Sequence, residues 1–103
     1  MTIKGFSKEL EHGVTLYEVE TVKEGLSRDL LINKDGTVVV VEQQIALADA
    51  PPAVQRALSH QGQLLKLEQV TSHGTTAYEA HLHKGSKKQS VTLDRDGRVV
   101  APK

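Results

Sequence analysis

The sequence predicts an α+β domain: two tandem four-stranded antiparallel β-meander units, about eight strands in all, with one helix near 51–61 packed on one sheet face. Three observations predict it. The chain matches itself at an offset of 61 residues, glycine-bearing turn signals recur at hairpin spacing, and only one stretch has helical periodicity. At that offset ten of the 28 positions from His12 to Val39 are identical, without a gap. They include His12-Gly13 with His73-Gly74, Tyr17-Glu18 with Tyr78-Glu79, Lys23 with Lys84, Asp35-Gly36 with Asp96-Gly97 and Val38-Val39 with Val99-Val100. Extended backwards, the offset sets Ile3 on Leu64 and Phe6 on Leu67. The expected organisation is a single domain, 1–103, made of a first unit at 1–45 without a helix of its own and a second at 46–103.

The turns come first in the argument because they fix the register. His12-Gly13 and Glu24-Gly25 are two-residue hairpin signals, in which glycine accepts the positive φ that such turns need. Lys34-Asp35-Gly36 suits a three-residue loop closed by a glycine bulge. These loops pair Phe6 with Val19, Val19 with Leu30, Tyr17 with Ile32, Ile32 with Val38, and Leu30 with Val40, all on one face. The corresponding set in the second unit is Leu67, Ala80, Val91, Tyr78, Leu93 and Val99, with Leu65 and Leu82 beside them. The same register sets Arg28 opposite Glu42 and Glu20 opposite Asp29 across neighbouring strands.

Between the units lies the helix. Asp49 is the expected cap, Pro51 and Pro52 suit a first turn whose amides have no partners, and Gly62 is the expected stop. Ala53, Val54, Ala57 and Leu58 share one side at helical spacing, directed at Leu65, Leu67, Tyr78 and Leu93. A helix of about 16 Å cannot cover a sheet of eight strands spaced about 4.8 Å apart. The face bearing Tyr17, Val19, Leu30, Ile32, Val38 and Val40 therefore needs either an upstream helix in a longer natural chain or cover from another chain. The opposite face of the first unit adds Val14, Leu16, Val22, Leu31, Val39 and Val41, which form the candidate interface, since large apolar patches mark interaction sites.

Composition excludes several function classes. The 103 residues hold 13 basic and 13 acidic side chains, no cysteine and three aromatics, Phe6, Tyr17 and Tyr78. Disulfides, thiolate catalysis and cysteine-based metal sites are excluded. A net charge of zero opposes nucleic-acid binding, which needs a basic footprint, and no run reaches the length of a membrane span. The charge is divided unevenly: residues 1–51 carry five basic and nine acidic groups, residues 52–103 eight and four. That split suits attraction between the units, within one molecule or head to tail in a homodimer.

Tyr17-Glu18-Val19, Asp35-Gly36, Pro52-Ala53-Val54, Tyr78-Glu79-Ala80 and Asp96-Gly97 together resemble the PepSY-like, β-lactamase-inhibitor-like family of bacterial periplasmic proteins. The resemblance covers nearly the whole chain and rests on turn and core positions. It implies a periplasmic or secreted location, an upstream signal peptide, and a role in binding or inhibiting other proteins.

Candidate chemistry is sparse. Residues two apart on a strand face the same way, so Glu79, His81 and His83 form a row able to approach a divalent metal; the plainer reading is a wet strand face. Asn33-Lys34-Asp35-Gly36 and Asp94-Arg95-Asp96-Gly97 look like the opening of a calcium loop but lack its later ligands, and turn chemistry accounts for both. His12 and His73 read as turn residues and His60 as the end of the helix. No serine has a nucleophile-elbow setting, and no set of nucleophile, base and orienter appears. The expectation is a noncatalytic protein-binding or inhibitory module without a cofactor. The alternatives are a metal- or small-ligand-binding protein using Glu79, His81 and His83, and a structural, self-associating domain.

Overall fold

Alternating side chains, interrupted by glycine turns at regular intervals, fold the chain into one antiparallel sheet whose strands lie side by side in the order they occur. The computed structural model describes residues 2–11 and 13–100, without the side chains of Glu9 and Glu11. It has seven strands: β1 (Thr2–Glu11), β2 (Val14–Lys23), β3 (Leu26–Ile32), β4 (Val38–Gln44), β5 (Gln63–Ser72), β6 (Thr75–Lys84) and β7 (Lys87–Leu93). Between β4 and β5 lie a 3-10 turn, Leu47–Asp49, and the helix α1, Pro52–Leu58.

Among the described residues the strand count is seven, not eight. After β7 only Val99 makes a bridge, to Leu93, backed by a bond from the Val100 amide to the Thr92 carbonyl at 2.8 Å.

The hairpin turns form as their glycines require. Glu24 and Gly25 have φ of 54° and 80°, and His73 and Gly74 have 51° and 76°, the paired positive values of a two-residue turn that matches strand twist. His12 lies outside the described residues. In the turn at Asp35-Gly36 the Gly36 amide bonds the Asn33 carbonyl at 3.1 Å, and in the turn at Asp96-Gly97 the Gly97 amide bonds the Asp94 carbonyl at 3.0 Å.

Register follows expectation on β1, β2 and β3, with Phe6 opposite Val19, Tyr17 opposite Ile32, Val19 opposite Leu30 and Glu20 opposite Asp29. Ile32 also meets Val38 as expected, but a bulge then follows, and Leu31 meets Val40. An extra residue, Val39, has been inserted into one strand, and a one-residue slip turns every later side chain over. Leu30 therefore faces Val41 instead of Val40, and Arg28 faces Gln43 instead of Glu42, with Arg28 Nη1 donating to Gln43 Oε1 at 3.2 Å. Glu42 is moved to the other face, opposite Asp29.

The helix is also shorter than expected. Ala50 and Pro51 are extended, with ψ of 159° and 145°, because a residue preceding proline avoids the helical region. Asp49 is thereby separated from the helix start, and no side chain caps it. At the far end the Ser59 hydroxyl donates to the Arg56 carbonyl at 2.7 Å and the helix stops at Leu58, leaving His60 exposed beyond it.

The core lies between α1 and the strands after it. Ala50, Val54 and Leu58 pack with Leu67, Tyr78, Ala80, Leu82 and Leu93, and Leu64 and Val91 lie at its margin. Val54 and Ala80 have no exposed surface. Each fully buried valine or leucine contributes roughly 1.5–3 kcal/mol, so this one short helix anchors the β5–β7 half of the sheet.

Candidate functional site

The two faces of the sheet differ in kind. On the side of α1, two pairs of positions 61 residues apart occupy contrasting surroundings, while Val38 and Val99 are both exposed. Leu67 is 2% exposed and Phe6 is 73%; Tyr78 is 8% exposed and Tyr17 is 40%. Ile3, Leu26 and Val38 are exposed as well. The contrast extends to the turns. Gly97 lies so close to α1 that a Cβ there would fall 2.6 Å from the Ala53 carbonyl oxygen, whereas Gly36, also at positive φ, has nothing within 4 Å. The face of β1–β4 on this side is thus an uncovered counterpart of the one that α1 covers.

Among the described side chains of β1–β4, its charges are of one sign. Register places Lys8 beside Tyr17, Lys23 across from Leu26 and Arg28 across from Thr21, all on this face. Acidic side chains fall on the other. There Glu18, Glu20, Asp29, Glu42, Glu68 and Glu79 lie together with Lys66 and His81. Glu18, Asp29 and Glu42 bring oxygens within 4.8 Å of one another, as do the ligand atoms of Glu68, Glu79 and His81.

Glu42 stands at the centre of this tract. Burial, followed by the charges of Glu68, Glu18, Glu79 and Asp29, pushes its carboxyl up to about 7. Asp29 is raised from its ordinary value by burial and by Glu20. Glu68 is buried and held by two partners: Lys66 Nζ lies 3.6 Å from Oε2 and His81 Nε2 3.2 Å from Oε1. His81 Nε2 also lies 3.0 Å from Glu79 Oε1, and its Nδ1 is 3.2 Å from Ser90 Oγ.

Of the row expected to approach a metal, Glu79 and His81 come together but His83 does not join them; its neighbours across the ladder are Gln63 and Lys88. The third member is Glu68. Hairpin register about His73-Gly74 places Glu68 opposite Glu79, so counting outward from that turn could have found it. Lys66 already faces this set. The series Ser90, His81 and Glu79 also has the order of a nucleophile, base and orienter. Acyl transfer further needs donors aimed at an oxyanion.

The calcium-like turns are closed on themselves. Asn33 Oδ1 accepts from the amides of Asp35 and Thr37, and Asp94 Oδ1 from those of Asp96 and Arg98. Hydrogen bonds from Thr37 hold the Asp35 carboxyl below its usual range. His73 occupies a turn. Among the candidate interface residues, Leu16 and Leu31 are buried, Val22, Val39 and Val41 are half-buried, and Val14 is exposed. The bulge places Val41 on the α1 side, apart from the others. The exposed large apolar residues Ile3, Phe6, Tyr17 and Val38 also lie on the α1 side.

A continuous antiparallel meander with one helix laid on a single face is a BLIP-like architecture. Solved structures similar to this chain include three from Bacteroides. A BLIP-like protein of Bacteroides fragilis superimposes with a TM-score of 0.69 at 16% identity, over 99% of this chain and 75% of its own. A DUF2874 family protein of Bacteroides uniformis gives 0.76 at 13% identity, over 97% and 77%. A chain from Bacteroides eggerthii, provisionally described as a periplasmic protein, gives 0.79 at 17% identity, over 97% and 76%. No protein-family model and no curated protein sequence matches the chain. The β-lactamase-inhibitor-like resemblance therefore holds at the level of the fold.

Proposed function

We propose that this chain is a noncatalytic, PepSY-like protein-binding module of the bacterial periplasm, built from two copies of one unit, 1–45 and 46–103. Its working surface is the open face of the first copy, and it inhibits where the protein bound there is an enzyme. The observation that carries the reading is the uncovered apolar face with Phe6, Tyr17 and Val38 exposed, where the equivalent Leu67 and Tyr78 are buried beneath α1. Exposed apolar residues grouped on one face of a small domain mark an interaction site. Support for the location comes from the fold neighbour provisionally described as periplasmic. The test is capture from an envelope extract by the wild-type chain and by a Phe6→Ser/Tyr17→Ser variant. A partner held by the first and lost by the second supports the reading; an identical captured set from both would refute it.

A further inference from the structure

The geometry points to a zinc site formed by Glu68, Glu79 and His81, on the sheet face opposite the one proposed to bind a protein. Strand alternation assembles it. β5 and β6 leave the His73-Gly74 turn antiparallel, and their ladder sets Glu68 directly opposite Glu79, with His81 two residues further along β6 on the same face. Like charges placed opposite one another weaken a ladder, and a cation between them turns that repulsion into attraction.

The ligand atoms converge at metal-site spacing. His81 Nε2 lies 3.2 Å from Glu68 Oε1 and 3.0 Å from Glu79 Oε1, and the three ligand atoms fall within 4.8 Å of one another. Zinc bonds nitrogen and carboxylate oxygen at about 2.0–2.2 Å, so the ligands of a tetrahedral ion stand about 3.3–3.6 Å apart. Shifts of a few tenths of an ångström bring both imidazole–carboxylate pairs to that spacing.

Three features set this group apart from an acidic patch. One ligand is an imidazole, which favours zinc over calcium or magnesium. Its other nitrogen, Nδ1, lies 3.2 Å from Ser90 Oγ, the kind of outer partner that fixes ring orientation and tautomer at metal sites. With Nδ1–H donating to Ser90, Nε2 is a third acceptor beside two carboxylate oxygens, and a metal ion is what joins three acceptors. The third feature is Glu68 itself, 5% exposed. Lys66 Nζ stands at its Oε2, which leaves Oε1 to bind the ion while the ammonium keeps its partner. Glu79 and His81 are partly exposed; that opens a path for the ion and leaves its fourth place to water.

The test titrates zinc chloride into the full chain, first freed of metal with a chelator, and reads binding by calorimetry. One equivalent is expected to bind. Glu79→Gln and His81→Ala should each weaken binding at least about thirtyfold, and Ser90→Ala about tenfold. Lys66→Met removes a competing charge and should tighten it about threefold, whereas a purely structural ion-pair cluster would show no such gain. His83→Ala should leave the affinity unchanged. Histidine ring nitrogen spectra should show zinc shifting Nε2 of His81 while Nδ1 stays protonated. Thermal midpoints of the metal-free variants establish that each one folds, and Glu79→Gln, at a partly exposed position, decides the matter if His81→Ala does not. No saturable zinc binding, equal affinity in the wild type and Glu79→Gln, a loss on His83→Ala instead, or calcium bound as tightly as zinc would each overturn the inference.

Discussion

Replacing Glu42 with glutamine should make the protein more stable at pH 8 and leave it unchanged at pH 5. The carboxyl is half-buried on β4, faces Asp29, and feels Glu68, Glu18 and Glu79 as well. Its folded-state value of about 7 exceeds the ordinary 4.5, so the folded protein holds this proton more tightly than the unfolded chain does. The stabilisation is then fully present below about 4.5, declines as pH rises through 7, and is absent above it. For a fully sheltered group the interval would correspond to about 3.4 kcal/mol. Half the side chain is in contact with water, and screening reduces this to roughly 1–2 kcal/mol. Urea unfolding at pH 5 and pH 8 reads the effect directly. With a urea slope of about 1–3 kcal/mol per molar, the wild-type midpoint should fall by about 1 M between the two pH values, while the Glu42→Gln midpoint holds. Equal pH dependence in the two proteins would refute the reasoning, and would mean that Glu42 lies in bulk water or pairs with Arg28, as unbulged register would have it.

Gly36→Ala and Gly97→Ala both force alanine into positive φ, costing about 1–2 kcal/mol each, but only Gly97 meets a backbone oxygen. Its variant should lose a further 1–3 kcal/mol or so, seen as a separation in thermal midpoint; equal losses would mean that α1 does not rest on that turn. Leu67→Ala should cost about 2–5 kcal/mol, as buried leucines do, whereas Phe6→Ala at the matching position should change urea stability by less than about 0.5 kcal/mol. His81→Ala removes one of the two side chains that hold the buried Glu68 carboxyl and should cost about 1–3 kcal/mol. A second change, Glu68→Gln, should recover part of that loss, and no recovery would argue against a paired buried charge.

The fold could be read from the sequence because its signals are local. A two-residue turn such as His73-Gly74 fixes pairing by counting outward, and the count holds for all of β2 against β3. The helix was visible in Val54 and Leu58, which the structure buries in the core. Its limits were less legible, since two adjacent prolines act on the residues before them and a serine bonding back to Arg56 ends the helix early. The eighth strand was inferred from Val99-Val100 and is reduced to one bridge, because a valine pair indicates strand conformation without supplying length.

The acidic tract was hidden for a different reason, and one residue accounts for it. Were Val39 paired with Leu31, with no bulge, Glu42 would lie across from Arg28, and its charge would be matched. With the bulge, Glu42 crosses the sheet to join Asp29, while Arg28 stays behind with Gln43. A single backbone irregularity thus removes a carboxylate from one face and adds it to the other. One face of the first four strands retains cations around an apolar centre; the other gathers carboxylates close enough to hold a proton near neutrality. A bulge of this type leaves little trace in a run of four valines, since Val38, Val39, Val40 and Val41 look alike whichever way each one points. The bulge increases the separation of charge between the two faces of β1–β4; deleting Val39 removes the unpaired residue and leaves Val40 opposite Leu31 and Glu42 opposite Asp29. The pH dependence of stability should therefore persist, and its loss in urea unfolding would mean that β4 had taken a new register.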